Sequence, residues 1–281
     1  MAFQLATIND RAVLLTDGRA HDLERSSGGS FSADPMEAIA RFGDLHSVAA
    51  DVAGKPGESF DPGDLGICVP RPQKIFGIGL NYRSHAEETG AEIPPAPLVF
   101  AKFVNCLAGP ADDIIVYGPT TDWEAELVVV MGTTARDIPA DKVWDHIAGV
   151  TCGQDVSERT TQFASKPPHF DLAKSFDTYG PIGPALVSLD HFSDPADLAI
   201  TCDVNGERRQ DARTSDLIFT IPELVSYLSG ICTLLPGDLI FTGTPSGVGV
   251  MTGTFLAPGD VVTTTIEGVG TMTNRCVATD A

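Results

Sequence analysis

Apolar residues fall in short blocks along most of the chain, and glycine, proline or asparagine closes many of them. Short apolar blocks bounded by turn residues predict strands rather than long helices. The clearest is Asp122-Trp123-Glu124-Ala125-Glu126-Leu127-Val128-Val129-Val130-Met131-Gly132, a run of apolar and β-branched residues up to a glycine stop. A second is Ile147-Ala148-Gly149-Val150-Thr151-Cys152-Gly153-Gln154-Asp155. Lys74–Gly79, Leu198–Val204, Asp238–Gly243 and Asp260–Ile266 read as further strands. Val204 runs into Asn205-Gly206, a tight-turn signal, from which Glu207–Gln210 returns. Ile221–Ser229 has helical spacing, with proline at an early position.

Before residue 70 the pattern predicts a small β-rich module. Ala12–Leu15 and the turn Asp17-Gly18 suggest a hairpin, Pro35–Phe42 has helical spacing, and residues 54–72 are dominated by turn chemistry. Val69-Pro70-Arg71-Pro72 reads as a linker between residues 1–70 and a larger domain, 71–281. Many strands with few helices imply a mixed β fold with minor α, a roll or sandwich rather than a doubly wound sheet.

Composition narrows the function. A chain of 281 residues that is 43% hydrophobic can bury a substantial core. No apolar run is long enough for a transmembrane helix, and the first ten residues lack the basic start and apolar stretch of a secretory signal. The six cysteines are scattered without a C-x-x-C, as expected of reduced thiols in a cytoplasmic protein. A net charge of −20 argues against nucleic acid and against anionic membranes.

Within that acidity, three acids stand out. Side chains two apart on a strand share a face roughly 7 Å apart, so Glu124 and Glu126 lie side by side on an otherwise apolar strand. Two such carboxylates need either water or a cation between them. Taken alone the pair fits a solvated strand edge as well. Asp155 adds a third acid at the end of a buried run, placed to face a cavity. Three carboxylates with no Cys or His beside them suit Mg²⁺, Mn²⁺ or Ca²⁺ rather than zinc.

Four further stretches accompany the triad in order: Asn81-Tyr82-Arg83-Ser84-His85-Ala86-Glu87-Glu88, Leu172-Ala173-Lys174-Ser175-Phe176-Asp177-Thr178, Val204–Gln210 and Phe241–Gly249. Together these motifs resemble the fumarylacetoacetate hydrolase family over residues 74–276. The resemblance implies a mixed β-sandwich roll, a homodimer, and Mg²⁺ or Mn²⁺ held by Glu124, Glu126 and Asp155. It also implies a small-molecule 2-keto or 2,4-diketo acid substrate. Such an acid can chelate a metal through its carboxylate and keto oxygens, and the metal stabilises the enolate left when the C–C bond breaks. The expected activity is Mg²⁺-dependent hydrolysis of a 2,4-diketo acid, acylpyruvate-type or sugar-derived. Oxaloacetate decarboxylation, isomerisation of the 2-hydroxyhepta-2,4-diene-1,7-dioate type and an inactive metal-binding module are the alternatives.

Residue by residue, His85 and Glu88 share a helix face, so Glu88 can orient His85 to deprotonate a water. Lys174 is the cation expected near the metal. Arg159 and Gln162, four and seven residues after Asp155, look like the family's substrate-contacting pair. Thr244 lies in a glycine-rich turn whose N–H groups suit a carboxylate. That turn lacks the ending of a P-loop and the spacing of a nucleophile elbow. Leu80 stands where acylpyruvase-type members often carry a basic residue. Residues 86–97, acidic and rich in proline, are expected to form a lid that is open when empty and orders as a short helix.

Overall fold

The computed structural model describes residues 1–279. Two β-sheets dominate it. The larger runs in the order Arg19–Asp22, Arg11–Thr16, Gln4–Ile8, Gly180–Val187, Ile147–Gln154, Ala125–Met131, Leu239–Phe241, Ile75–Gly79 and Leu98–Ala101, with Leu107–Ala108 paired alongside Gly180–Val187. The smaller runs Glu207–Arg213, Ala199–Val204, Val261–Ile266, Gly270–Ala278 and Ile114–Val116. Both are mixed: Leu239–Phe241 pairs parallel with Ile75–Gly79 but antiparallel with Ala125–Met131. Helices are short and lie outside the sheets' hydrogen-bonding ladders, so the fold is mixed β with minor α, as the strand pattern predicts.

The central pair is the best covered. Ala125–Met131 and Ile147–Gln154 are buried at every position, which explains their near-continuous apolar sequences. In the smaller sheet Ala199–Val204 instead alternates between buried and partly exposed, with one face to the core. Both expected hairpins form, and their turn residues explain why. Asn205 and Gly206 have φ of 53° and 78°, and Asp17 and Gly18 of 51° and 71°. Two successive positive φ values match the twist of the flanking strands.

Some elements differ from the sequence reading. The expected strand over 122–132 is broken at Trp123 and Glu124 into Thr121–Asp122 and Ala125–Met131. The Asp122 carboxylate accepts the N–H of Trp123, Gly249 and Val250, which turns the chain there. The helical pattern at Pro35 continues, past a break at Arg41, into a second helix, Phe42–Val52. The helix expected at Ile221 runs to Ile231, started by a capping box in which Thr220 and Glu223 satisfy each other's backbone N–H. Among the described residues no helix is long and apolar enough to cross a membrane. All six cysteines carry free thiols, five of them buried.

Candidate active site

The site begins with the register of the two central strands. Glu126 lies opposite Gly153 and Ala125 opposite Gln154. One step further out, the Asp155 N–H donates to the Glu124 carbonyl at 2.8 Å. Residues opposite each other in an antiparallel pair share a face, so Glu124, Glu126 and Asp155 converge. Each can offer one carboxylate oxygen such that all three lie within 4.8 Å of one another, and all three residues are buried.

Three buried cations answer these acids. The Lys174 ammonium donates to Glu124 Oε2, Asp155 Oδ2 and Ser157 Oγ, each at 2.7 Å. The Arg159 guanidinium donates to Glu124 Oε1 at 2.7 Å and Asp122 Oδ2 at 2.8 Å. Lys102 donates to Asp155 Oδ1 at 2.7 Å, to the Tyr179 carbonyl at 3.2 Å and to the Lys174 carbonyl. Glu126 is left out: its carboxylate accepts the Gly243 N–H at 2.8 Å and, among the described residues, forms no ion pair.

The electrostatics follow from these contacts. Burial raises the Glu124 carboxyl, but Lys174 and then Arg159 outweigh it and hold the group down at about 2. Burial, then repulsion from Asp155 and Glu124, pushes Glu126 well above the ordinary carboxylate range. Burial likewise raises Asp122 despite Arg159. A group of three buried carboxylates, one of them unpaired by any side-chain cation, fits a hard divalent ion with oxygen ligands. The residues present therefore suit a hard divalent cation such as Mg²⁺, Mn²⁺ or Ca²⁺.

Above the acids is a cavity of about 420 Å³, lined by Glu124, His85, Arg159, Gln162, Lys174 and Thr244 among polar residues. His85 lies on the helix Arg83–Thr89, three residues before Glu88, and its Nδ1 is 3.1 Å from Glu88 Oε2. The other oxygen of Glu88 accepts the Gly247 N–H at 2.9 Å, so the carboxylate is fixed at both ends. Gln162 Oε1 accepts from Arg159 at 2.8 Å. The Thr244 hydroxyl donates to the Ala125 carbonyl at 2.9 Å and accepts from Gln210 at 2.8 Å. All nine residues singled out in the sequence thus lie at the acid cluster, on the cavity wall or in direct contact with a wall residue.

The turn that carries Thr244 is held by close backbone contact. Gly243 has φ of 105°, and a Cβ there would come within 2.7 Å of Asn81 Cβ. Asn81 in turn donates to the carbonyls of Thr242 and Phe219 and accepts the Phe219 N–H. It acts as a clamp between the 243–247 turn and the segment before Ile221. The proposed lid is partly regular: the helix ends at Thr89 with Gly90 in the left-handed conformation, and residues 91–97 have no helix or strand.

Sequence reasoning missed Lys102, Asp122 and Ser157. Lys102 closes the apolar strand Leu98–Ala101, and a lysine in that position is a weak sign of a buried partner. Asp122 stands two residues before Glu124, and nothing in the local sequence separates it from the strand that follows.

The profile of the fumarylacetoacetate (FAA) hydrolase C-terminal family matches residues 74–277. The chain belongs to the fumarylacetoacetate hydrolase family, whose members include enzymes that hydrolyse carbon–carbon bonds of small keto acids. It is 42% identical over 213 residues to the mitochondrial oxaloacetate tautomerase FAHD2B of Bos taurus, covering 74% of this chain and 68% of that one. A Mycobacterium smegmatis structure assigned as HpcE superposes with a TM-score of 0.92 at 43% identity, over 99% of this chain and 100% of that one. The maleylpyruvate hydrolase of Sphingobium sp. SYK-6, crystallised with manganese(II) and pyruvate, gives a TM-score of 0.80 at 27% identity, over 99% and 100%.

Proposed function

We propose that the protein is a divalent-metal-dependent hydrolase that splits the C3–C4 bond of a 2,4-diketo acid, with Mg²⁺ or Mn²⁺ held by Glu124, Glu126 and Asp155. One observation carries this reading. The buried Glu-Glu-Asp cluster opens through Glu124 onto a cavity that the Glu88-paired His85 also lines. The ion supplies Lewis-acid polarisation of the keto and carboxylate oxygens of a 2-keto acid.

The chain's own residues do the rest. Glu88 accepts the Nδ1 proton of His85, which leaves Nε2 as the base that takes a proton from water. The water oxygen bonds to C4, the C3–C4 bond breaks with its electron pair moving to C3, and C3 is then protonated. The products are pyruvate and the acid of the departing acyl group. Gln162, with its carbonyl oxygen held by Arg159, offers its amide N–H donors to the substrate. The Thr244 hydroxyl is engaged by protein, so its backbone N–H is the group left for a substrate carboxylate. Lys174 offsets carboxylate charge beside the reacting carbonyl.

A second reading uses the same residues without attack by water: His85 moves a proton between carbon and oxygen of a keto acid, as a tautomerase or isomerase. The bovine relative named oxaloacetate tautomerase supports it. Purified protein, stripped with chelator and reloaded with Mg²⁺ or Mn²⁺, is to be given acylpyruvates and oxaloacetate. The hydrolase reading expects pyruvate and a carboxylic acid in equal amounts. Loss of the enol absorbance with no cleavage product overturns it in favour of tautomerisation.

The raised Glu126 yields a separate prediction about metal binding. In the metal-free protein Glu126 keeps its proton to a higher pH than an ordinary carboxyl, whereas a metal ligand must be ionised. Binding of Mg²⁺ therefore releases a proton wherever Glu126 is still protonated. Affinity is expected to rise with pH from the ordinary glutamate range up to the raised value, then level off. Calorimetry in buffers of different ionisation heat measures the released proton. An affinity flat with pH, with no proton released, contradicts the assignment of Glu126 as a ligand.

A further inference from the structure

We infer that the cavity selects 2-keto acids whose far end is apolar and uncharged, and rejects those with a second carboxylate or a polyhydroxyl tail. The inference rests on the proposed metal site and narrows the substrate class it would serve.

Charge comes first. Among the described residues that line the cavity, Arg159 and Lys174 are the only arginine and lysine. Both are buried and already committed, Arg159 to Asp122 and Glu124, and Lys174 to Glu124 and Asp155. Counting Lys102, three buried cations stand against the four carboxylates of this cluster, those of Asp122, Glu124, Asp155 and, once ionised for metal binding, Glu126. A divalent ion turns that deficit of one into a surplus of one, enough for a single substrate carboxylate. A second carboxylate at the far end would meet no cation on the remaining wall. It would instead come toward the exposed Glu92, the neighbour of the lining residue Ala91.

Shape and polarity come second. Leu80, Leu98, Phe163, Phe170, Val248 and Met251 supply much of the apolar lining. Three of these are large apolar residues left open to water: Phe163 is 55% exposed, Leu98 43% and Met251 42%. They come from three separate segments, the strand Leu98–Ala101, the end of the helix Arg159–Gln162 and the helix Gly249–Thr252. Deeper in, Phe100 stacks on Phe170 with ring centroids 5.7 Å apart. An apolar rim converging on a polar floor is the arrangement that binds an amphipathic acid by its head and buries its tail. Hydroxyl groups on that tail would lose water without gaining partners.

The test is binding, which needs no turnover. Mg²⁺-loaded protein is titrated calorimetrically with 2-oxohexanoate and with 2-oxoadipate, acids of equal length that differ in the terminal methyl or carboxylate. At least tenfold tighter binding of 2-oxohexanoate is expected. Along the series from 2-oxobutanoate to 2-oxohexanoate, affinity should rise about threefold to fourfold per methylene, the gain from burying one CH₂. Met251→Lys and Phe163→Lys each place a cation at an exposed rim position and should narrow the preference by about tenfold. Equal or tighter binding of 2-oxoadipate, or no gain with chain length, overturns the inference. Selective binding of 2-oxohexanoate by a protein that hydrolyses no diketo acid would remove the proposed reaction and leave the selectivity standing. Failure to bind either acid in the loaded state overturns both.

Discussion

Glu126→Gln and Asp155→Ala are both expected to reduce metal-dependent turnover to background, yet to move the stability of the metal-free protein in opposite directions. The contacts of the two acids explain the split. Glu126 has no side-chain cation, and Asp155 and Glu124 repel its charge. Glu126 therefore favours its protonated form in the metal-free protein, and the neutral amide keeps that volume and charge state and preserves one oxygen for the Gly243 N–H. The metal-free variant should melt at the wild-type temperature or above it. Asp155 accepts from Lys102 and Lys174, both buried. Its removal strands the Lys102 ammonium among backbone carbonyls, and breaking a buried pair in this way costs about 3–5 kcal/mol. Both variants should lose the ion's own stabilisation, about 2.7 kcal/mol in wild type at a free ion concentration 100 times Kd. Thermal melts with and without Mg²⁺ read both effects. A Glu126→Gln enzyme that is stabilised by Mg²⁺ as wild type is, and still active, would show that Glu126 is no ligand.

His85→Ala is the second large effect. Loss of a general base slows a reaction by about 10²–10⁴-fold, and that is the expected fall in kcat for diketo-acid hydrolysis. Metal affinity should hardly change, because His85 touches none of the three acids and pairs with Glu88 instead. Glu88→Gln should cost less than His85→Ala. Its amide oxygen can still accept from His85, although its NH₂ group then faces the Gly247 N–H, which has lost its acceptor. Steady-state kinetics beside calorimetric Mg²⁺ titration separates these roles. Normal hydrolysis by His85→Ala would exclude water activation by this residue. Should the wild type act on oxaloacetate as well, a variant that loses hydrolysis and keeps that action would show that His85 serves cleavage and not enolisation.

Much of this site was written locally in the chain. The i, i+2 spacing of Glu124 and Glu126 pointed to two acids on one face, and although Glu124 stands just before the strand Ala125–Met131, the Asp155 N–H on its carbonyl extends the pairing to it. The i, i+3 spacing of His85 and Glu88 needed only that one helical turn form there, and it does. Asn205-Gly206 and Asp17-Gly18 set their own turns, because positive φ is a property of those residues more than of their neighbours. Asp155 could be read as a site residue because a charge at the end of an apolar run has to face something polar.

Tertiary structure decided which groups answer those acids. Lys102 reaches Asp155 across 53 residues and Lys174 reaches Glu124 across 50, distances over which no sequence period carries information. Lys102 looks like any lysine that ends an exposed strand until the fold buries it. The break at Trp123 depended on Asp122 finding the N–H groups of Gly249 and Val250, more than 120 residues away. The edge of the large sheet was likewise undetermined, since Gln4–Ile8 joins it by pairing with Gly180–Val187. Strand alternation states that one face must be buried and leaves open which strand buries it. Spacing along the chain therefore placed the acid pair and the His85–Glu88 pair, whereas charge pairing, a short-range force between groups far apart in sequence, came only from the sheet register that brought them together.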